Sequence, residues 1–448
     1  MLPPRPGPSP PSPPSRPPAE AQHYSGGIPL KASRIEVLAW CLYDFADSSF
    51  TTLIVTVAYS LYFRTVVAGH LGPGADFYWG ASVSVSMILV ALTSPILGAI
   101  ADASGRKKLL LGVYAGTCIV FTALLCTVGR GDIAAGMLLF ILANAGFEGA
   151  HVFYNGFLPE IAGEAEMGRI SGYGWAVGYL GGLAALLLAY PFTRAGLDEG
   201  AGRYRLSFAV VALFHLLFTL PILALLKERA PRRQAPLAVF ARDGMRRLRD
   251  TFRHVRGLRD LFRFLLAFLV YNDAVVTVIA FSAIYAMHVI GFTVNQVMLL
   301  FVVTQLTAFA GAFAAGYLVD RWGAKPTILA TLVLWCVTIV GAYAAHGVPQ
   351  FFAVGILASI GMGSTQTASR SLMGLLIPPG RNAEFFGFFA LTGKVSAVAG
   401  PLLYGFIASA FGSERPAVLS LGAIVLAGLA LMLGVDVDRG RRAAQKVL

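Results

Sequence analysis

Charge is what this chain has least of. Only 13% of its 448 residues are Asp, Glu, Lys or Arg, where roughly 25% is usual in soluble domains, and that scarcity excludes a water-soluble globule of this size. The strict apolar–polar alternation of a membrane β-barrel is missing as well. Cysteine is sparse: Cys41, Cys118, Cys126 and Cys336 are the four. None has the spacing of a metal-ligand or disulfide framework, and all four are expected to be packing residues. The N-terminus has no apolar core of the kind a cleavable signal peptide needs, so the first long helix is expected to act as its own insertion signal. GFFALTGKV, around Lys394, faintly suggests a phosphate loop. It has five residues between its glycines, no Ser or Thr after the lysine and no preceding strand, which rejects ATP binding there. No nucleophile–base pair or metal-ligand set shares one helical face apart from Glu148 and His151. The expectation is therefore no enzyme, no cofactor and no metal.

What is there is hydrophobic. Apolar residues make up 56% of the chain and mean hydropathy is +0.70. They come in blocks of about 20, the length that crosses a bilayer core as a helix. Such blocks predict helices near 36–66, 76–101, 108–129, 133–156, 171–192, 204–226, 262–290, 293–318, 326–345, 350–375, 385–410 and 416–435. The expected fold class is an all-α integral membrane protein with twelve transmembrane helices in two pseudo-symmetric six-helix bundles, 35–226 and 263–436. A disordered tail, 1–34, precedes them, and residues 1–27 hold ten of the 24 prolines. A basic linker, 227–262, divides them, and a basic tail, 437–448, follows. In the linker, Phe240, Leu248, Phe252 and Val255 sit at near-helical spacing between arginines, the pattern of an amphipathic helix on an anionic leaflet.

The net charge of +12 would suit nucleic acid, but its distribution argues otherwise. With the N-terminus inside, 27 Lys and Arg fall on the cytoplasmic side and 6 outside. Positive charge stays inside, so both termini are expected in the cytoplasm, at the inner membrane if the cell is bacterial. Only Arg370 and Lys394 remain within helices.

The halves repeat. Aligning Asp47 with Asp273 also aligns Thr51 with Thr277 and Tyr59 with Tyr285, and GAIADASGRK (98–107) meets GYLVDRWGAK (316–325). Asp102 and Asp320 take the same place after the second helix of each half. Glu148 and Gln366 both follow 46 residues later. Two related halves are a transporter plan, with the site between them. Gly98–Lys107 resembles the signature of the major facilitator superfamily: Gly, a short spacer, Asp, two residues, Gly-Arg-Lys. Gly98 would let two helices approach closely, and Gly105 permits a tight turn. Asp102 can face the positive N-terminal end of a helix from the other half, and Arg106 can pair with an acid. Together they would latch the cytoplasmic face. Arg169 and Asp320 join this candidate gating set.

A charge at the bilayer centre costs roughly 2.5–3.5 kcal/mol on insertion scales, so those present invite a function. They gather on the first helix of each three-helix unit: Asp44 and Asp47; Asn144, Glu148, His151 and Asn155; Asn272 and Asp273; Gln366 and Arg370. Lys394 is on helix 11. Positions 144, 148, 151 and 155 form one helical stripe. Away from their ends, helices 3, 9 and 12 carry no charge and helix 6 has only His215. Gly174, Gly178 and Gly182 make a close-packing face on helix 5. Buried acids can carry a proton, and fixed bases can hold an anionic group. Structural ion pairing between helices is the competing reading.

LAWCLYDFADSSFTT, VFYNGFLPEIA, SGYGWAVGYLGG, FLVYNDAVVT and the long QTASRSLMGLLIPPGRNAEFFGFFALTGKVSAVAGPLLYG resemble the family of vacuolar amino-acid effluxers linked to autophagy, and its bacterial relatives. The likeness covers about residues 36–436. Its motif residues fall at Tyr43, Asp44, Asp47, Asn155, Glu160, Trp175, Asp273, Arg370, Glu384 and Lys394. Ala274 departs from the family, which usually has Gly there. The resemblance implies efflux of neutral amino acids. The expected function is secondary active transport of a small polar solute by alternating access, coupled to protons. Asp44, Asp47, Glu148, Asn155, Asp273, Arg370 and Lys394 would be substrate or proton sites; Gly98, Asp102, Gly105, Arg106, Glu160, Arg169, Asp320 and Glu384 would be gating residues. A lipid-like, muropeptide or drug cargo on the same fold stays open, as does a membrane receptor. The expected partners are a small-molecule substrate, the lipid bilayer and protons, without nucleic acid, and the expected state is a monomer.

Overall fold

The computed structural model describes residues 32–446 apart from 73, 195, 198–200, 231–235, 254–256 and 397–398. The proline-rich tail at 1–31 and Val255, together with the Phe252 side chain, lie outside the described residues. Among these residues the chain is helical throughout, with no strand. Twelve helices are long and apolar enough to cross a membrane: α1 Arg34–Val67, α2 Gly74–Ser104, α3 Lys107–Thr127, α4 Ile133–Ile161, α5 Glu164–Thr193, α6 Ala201–Leu225, α7 Arg259–His288, α8 Asn295–Trp322, α9 Ala324–Ala344, α10 Val348–Leu376, α11 Asn382–Phe411 and α12 Glu414–Leu433. This is a multi-pass membrane protein, as the apolar blocks predict.

Local chemistry sets several starts. Ser33 and Glu36 form a capping box at the start of α1, and Thr293 and Gln296 form another at α8. Each satisfies backbone N–H groups that a helix start leaves unpaired. Two spans are irregular. Just beyond Asp47, α1 runs through π-helical stretches at Phe50–Val57 and Phe63–Val67, a distortion often found next to functional groups. The described parts of α11 are two helices, Asn382–Val395 and Ala399–Phe411.

Each half has its own core. One cluster spanning Leu258 to Val435 centres on Phe264, Tyr271, Trp335 and Phe385. In the first half one cluster gathers around Tyr59, Phe63 and Phe208, and another around Trp40, Tyr43 and Tyr154. Outward-facing Leu92, Leu187, Leu213, Leu402 and Phe406 are exposed, which suits hydrocarbon contact rather than water.

Two seams join the halves: α2 packs on α11, and α5 packs on α8. Both described chain ends, the linker and the turns α2–α3, α4–α5, α8–α9 and α10–α11 lie at one end of the bundle, the linker face; the other end is the far face.

The linker helix, Leu237–Arg253, takes a different position from the leaflet-bound one its spacing suggests. Phe240 is buried beneath the guanidinium of Arg106, and Gly244 lies against Ile100 of α2. At its other end Thr251 bonds the carboxylate of Glu384 and accepts from Arg381 Nη1 at 2.8 Å. Phe240 and Leu248 of its apolar side pack on the protein, and the helix crosses from α2 of one half to α11 of the other. The basic tail is likewise docked: Val437–Gln445 is helical, Arg439 forks onto Asp260 at 2.6 and 2.7 Å, and Arg441 pairs with Glu164 of the first half. The hydrogen bonds that it donates to Asp260 raise the pKa of the Arg439 guanidinium above its ordinary value.

Candidate functional site

The candidate gating residues gather at the linker-face ends of the two seams. At the α2–α11 seam the backbones touch. A methyl group on Gly98 would overlap the Ala383 carbonyl and lie 2.8 Å from Glu384 N. That approach puts Asp102 at the start of α11, where its Oδ2 accepts the Glu384 N–H at 2.9 Å. The carboxylate thus meets an unpaired backbone donor and the positive end of the helix dipole together. Gly105 has φ +64°, a conformation glycine adopts freely, and the chain turns there into α3.

The turn decides which base meets the acids. Arg106 points outward over Phe240, so the acid pairing expected of it is corrected. Lys107 is the buried cation: its side chain is 2% exposed, it sits 3.5 Å from Asp102 and it bonds Glu160. One residue past the positive-φ glycine, Lys107 opens α3 and points into the bundle, while Arg106 is still on the turn. Glu228, in the linker, accepts the backbone N–H groups of Lys107 and Lys108; burial pushes its carboxyl above the usual range.

The α5–α8 seam repeats the device with the halves exchanged. Gly316 approaches Gly168 so closely that a methyl group would lie 2.9 Å from the Gly168 oxygen. Asp320 accepts from Gly168 N at 2.8 Å, from Arg169 N at 3.3 Å and from Arg169 Nε at 2.8 Å. Glu384 lines the first seam through its backbone and carries its carboxylate to Thr251.

Deeper in, two bases of the second half meet acids of the first. Arg370 of α10 is buried at 2% exposure. Its Nε donates to Ser171 Oγ at 3.0 Å and Nη2 to Ser171 O at 2.5 Å; Nη1 reaches Asp44 Oδ2 at 3.3 Å and Asn155 Oδ1 at 3.4 Å. The guanidinium lies over Trp40 and Trp175, 4.9 and 5.1 Å from the ring centroids. Tyr154 donates to Asp44 at 2.9 Å. Lys394 of α11 meets Glu148 of α4 at 2.5 Å, and its side chain keeps 26% of its exposure.

The other two candidate acids join neither pair. Asp47 stays among first-half groups, 3.1 Å from His151 Nε2 and 3.7 Å from His215 Nε2. Asp273 accepts the Gly400 N–H at 2.9 Å, so it caps the second part of α11 within its own half. Among the described residues neither Asp47 nor Asp273 pairs with the other half, so the candidate substrate or proton residues do not form one cross-half cluster. The α4 stripe does spread over four neighbours: Asn144 bonds Ser86, Glu148 meets Lys394, His151 meets Asp47 and Asn155 meets Arg370.

Sequence reasoning overlooked Lys107, Ser171 and the Trp40–Tyr154 stack, whose rings lie 4.4 Å apart. The first lysine of the GRKK run could have marked Lys107; nothing in the sequence singles out Ser171. Among the described residues, cross-half hydrogen bonds between spans run from mid-membrane, where Gln305 reaches Tyr179 O at 3.5 Å, to the linker face. These bonds hold the halves together on that side.

Known proteins share this plan. The solved human organic anion transporter MFSD10 (TETRAN) superposes with a TM-score of 0.71 at 16% identity, covering 89% of this chain and 99% of that one. The Escherichia coli fucose:proton symporter FucP does so at 0.69 and 15%, covering 90% and 99%. These establish the major facilitator fold. In sequence the chain is 29% identical over 417 residues to the uncharacterized MFS-type transporter YxiO of Bacillus subtilis, covering 91% of this chain and 96% of that one. It is 24% identical over 406 residues to autophagy-related protein 22 of Kluyveromyces lactis, covering 83% and 81%. Against autophagy-related protein 22-1 of Neosartorya fischeri it is 28% identical and spans about half of that protein's length, 49%. The family described as vacuole effluxer Atg22 like matches residues 78–445, and with the seams and fold above it, the chain belongs to that family of major facilitator-type transporters.

Proposed function

We propose that this protein exports a small zwitterionic solute, a neutral amino acid, by alternating access coupled to protons. The supporting observation is the Glu148–Lys394 pair: an acid of one half and a base of the other, 2.5 Å apart and still reached by solvent. A partly buried cross-half pair of this kind is stabilised only while the partners stay together. A solute carboxylate that takes Glu148's place on Lys394 frees Glu148 to receive the ammonium group or a proton. Arg370 holds Asp44 and Asn155 in the closed arrangement and acts as a gate that releases when the halves rock. The linker face, with its excess of Lys and Arg, is cytoplasmic on this reading, so the conformation is closed to the cytoplasm. The family description of vacuole effluxers supports amino-acid export.

The test is transport of radiolabelled neutral amino acids in proteoliposomes under an imposed pH gradient. Wild-type flux should follow the gradient. Lys394→Ala and Glu148→Gln should each reduce it at least tenfold. Undiminished flux in both variants would sink the site assignment, and flux of an amphiphilic drug that ignores Lys394 would favour a lipid-like cargo.

A further inference from the structure

Asp44, Glu148 and Asp102 each face a lysine or arginine. Asp47, with a side chain only 2% exposed, faces two imidazoles instead. His151 Nε2 lies 3.1 Å from its Oδ2 and His215 Nε2 lies 3.7 Å from its Oδ1. Asp47 Oδ1, His215 Nε2 and the Tyr43 hydroxyl, all buried, have no hydrogen-bond partner among the described residues. A separation of 3.7 Å is too long for a hydrogen bond. It is close to the edge of a tetrahedral metal site, roughly 3.4 Å when the metal–ligand bonds are about 2.0–2.1 Å. Asp44 places a ligand oxygen within 4.8 Å of the Asp47 and His151 ligand atoms, which adds a second carboxylate; His215 stands outside that group, on the other Asp47 oxygen. Against the two acids stands the single charge of Arg370 on Asp44.

We propose that Asp47, His151 and His215, with Asp44 beside them, bind a divalent transition-metal ion, and that Zn²⁺ fits the donors best. Two imidazole nitrogens and a carboxylate suit zinc and its neighbours in the first transition row. Mg²⁺ and Ca²⁺ need more oxygen ligands than are present. Entry is from the passage, because the His151 side chain is 21% exposed while Asp47 and His215 are sealed behind it. Cys118 Sγ lies 3.8 Å from His215 Nδ1, on the ring nitrogen away from the ion, and steadies the ring without being a ligand. This departs from the absence of metal expected from sequence, where α1, α4 and α6 contribute one histidine or one aspartate pair apiece. It does not depend on the solute proposed above.

The test uses the full chain, purified without a histidine tag, stripped with chelator and titrated with Zn²⁺ in detergent. One equivalent should bind at micromolar concentration or below. His151→Gln and His215→Gln should each weaken binding at least tenfold, while His288→Gln, altered at the exposed partner of Glu414, leaves it unchanged. X-ray absorption of the wild-type zinc complex should show two imidazoles with oxygen and no sulfur, a readout that stands even where a variant fails to fold. Failure to bind zinc, binding that survives both histidine changes, or a sulfur scatterer would each overturn the proposal. Because the readout is binding, a failure of amino-acid transport leaves it untouched.

Discussion

Asp102 and Asp320 hold mirror-image positions: each, at the end of one half's second helix, receives the first backbone N–H groups of a helix in the other half. The seams they close are the cross-half contacts of α2 with α11 and α8 with α5. Both carboxylates act where helix dipole and unpaired donors coincide, and both lose those partners if the halves separate.

Asp102→Asn and Asp320→Asn should therefore destabilise the linker-face-closed arrangement. A hydrogen bond to a charged group is worth about 1.5–3 kcal/mol, so each change should shift the equilibrium roughly tenfold or more toward opening. Spin-label distances between the α2–α3 and α10–α11 turns would lengthen, most in the double variant. Unchanged distances in the double variant would show that the aspartates do not hold the gate.

Gly98→Ala should wedge the same seam by sterics alone. The added carbon meets Ala383 backbone, which has no rotamer to give way. Overpacking costs about 1–3 kcal/mol, and it is felt only in the closed form. In a background free of native cysteines, Ala312→Cys, buried at the other seam, should then label faster with maleimide than in the Gly98 parent. Equal labelling rates would count against the close approach.

The neighbouring bases Arg106 and Lys107 should behave differently. Lys107→Ala strands Asp102 and Glu160 in the interior, and breaking a buried pair costs about 3–5 kcal/mol. Arg106→Ala removes an exposed cation over Phe240, worth about 0.5–1 kcal/mol. Thermal unfolding in detergent should separate the two clearly, and equal losses would argue against the buried assignment of Lys107.

Arg370→Lys keeps the charge and should still fail. One ammonium cannot serve Ser171 O, Ser171 Oγ, Asp44 and Asn155 together or stack between Trp40 and Trp175 as a planar guanidinium does. Loss of even one charged hydrogen bond removes about 1.5–3 kcal/mol. A melting temperature equal to wild type would mean that the guanidinium fork contributes nothing to the closed state.

The twelve spans were readable because a bilayer demands about 20 apolar residues per crossing, and that demand is written locally. The repeat of Gly98–Asp102 in Gly316–Asp320 was readable for the same reason: a close helix approach needs a residue without a side chain, and its partner acid must follow one turn later. The partners were not readable. Asp47 and Asp273 align in the two halves, yet one faces histidines and the other a backbone N–H on α11. The linker spacing marked an amphipathic helix but not what its apolar side would cover, since protein and lipid reward the same pattern.

Composition and spacing by themselves determined that this is a twelve-helix membrane protein in two related halves, with a glycine–aspartate device at matching places. Tertiary structure alone decided that Lys107 and not Arg106 is the buried base, that Arg370 and Lys394 each reach an acid of the opposite half, and that Asp47 sits between two imidazoles. Membrane insertion is set by the transfer energy of each segment, which depends on that segment's own residues. Pairing is set by which side chains meet when helices distant in sequence pack together, and no single segment carries that information.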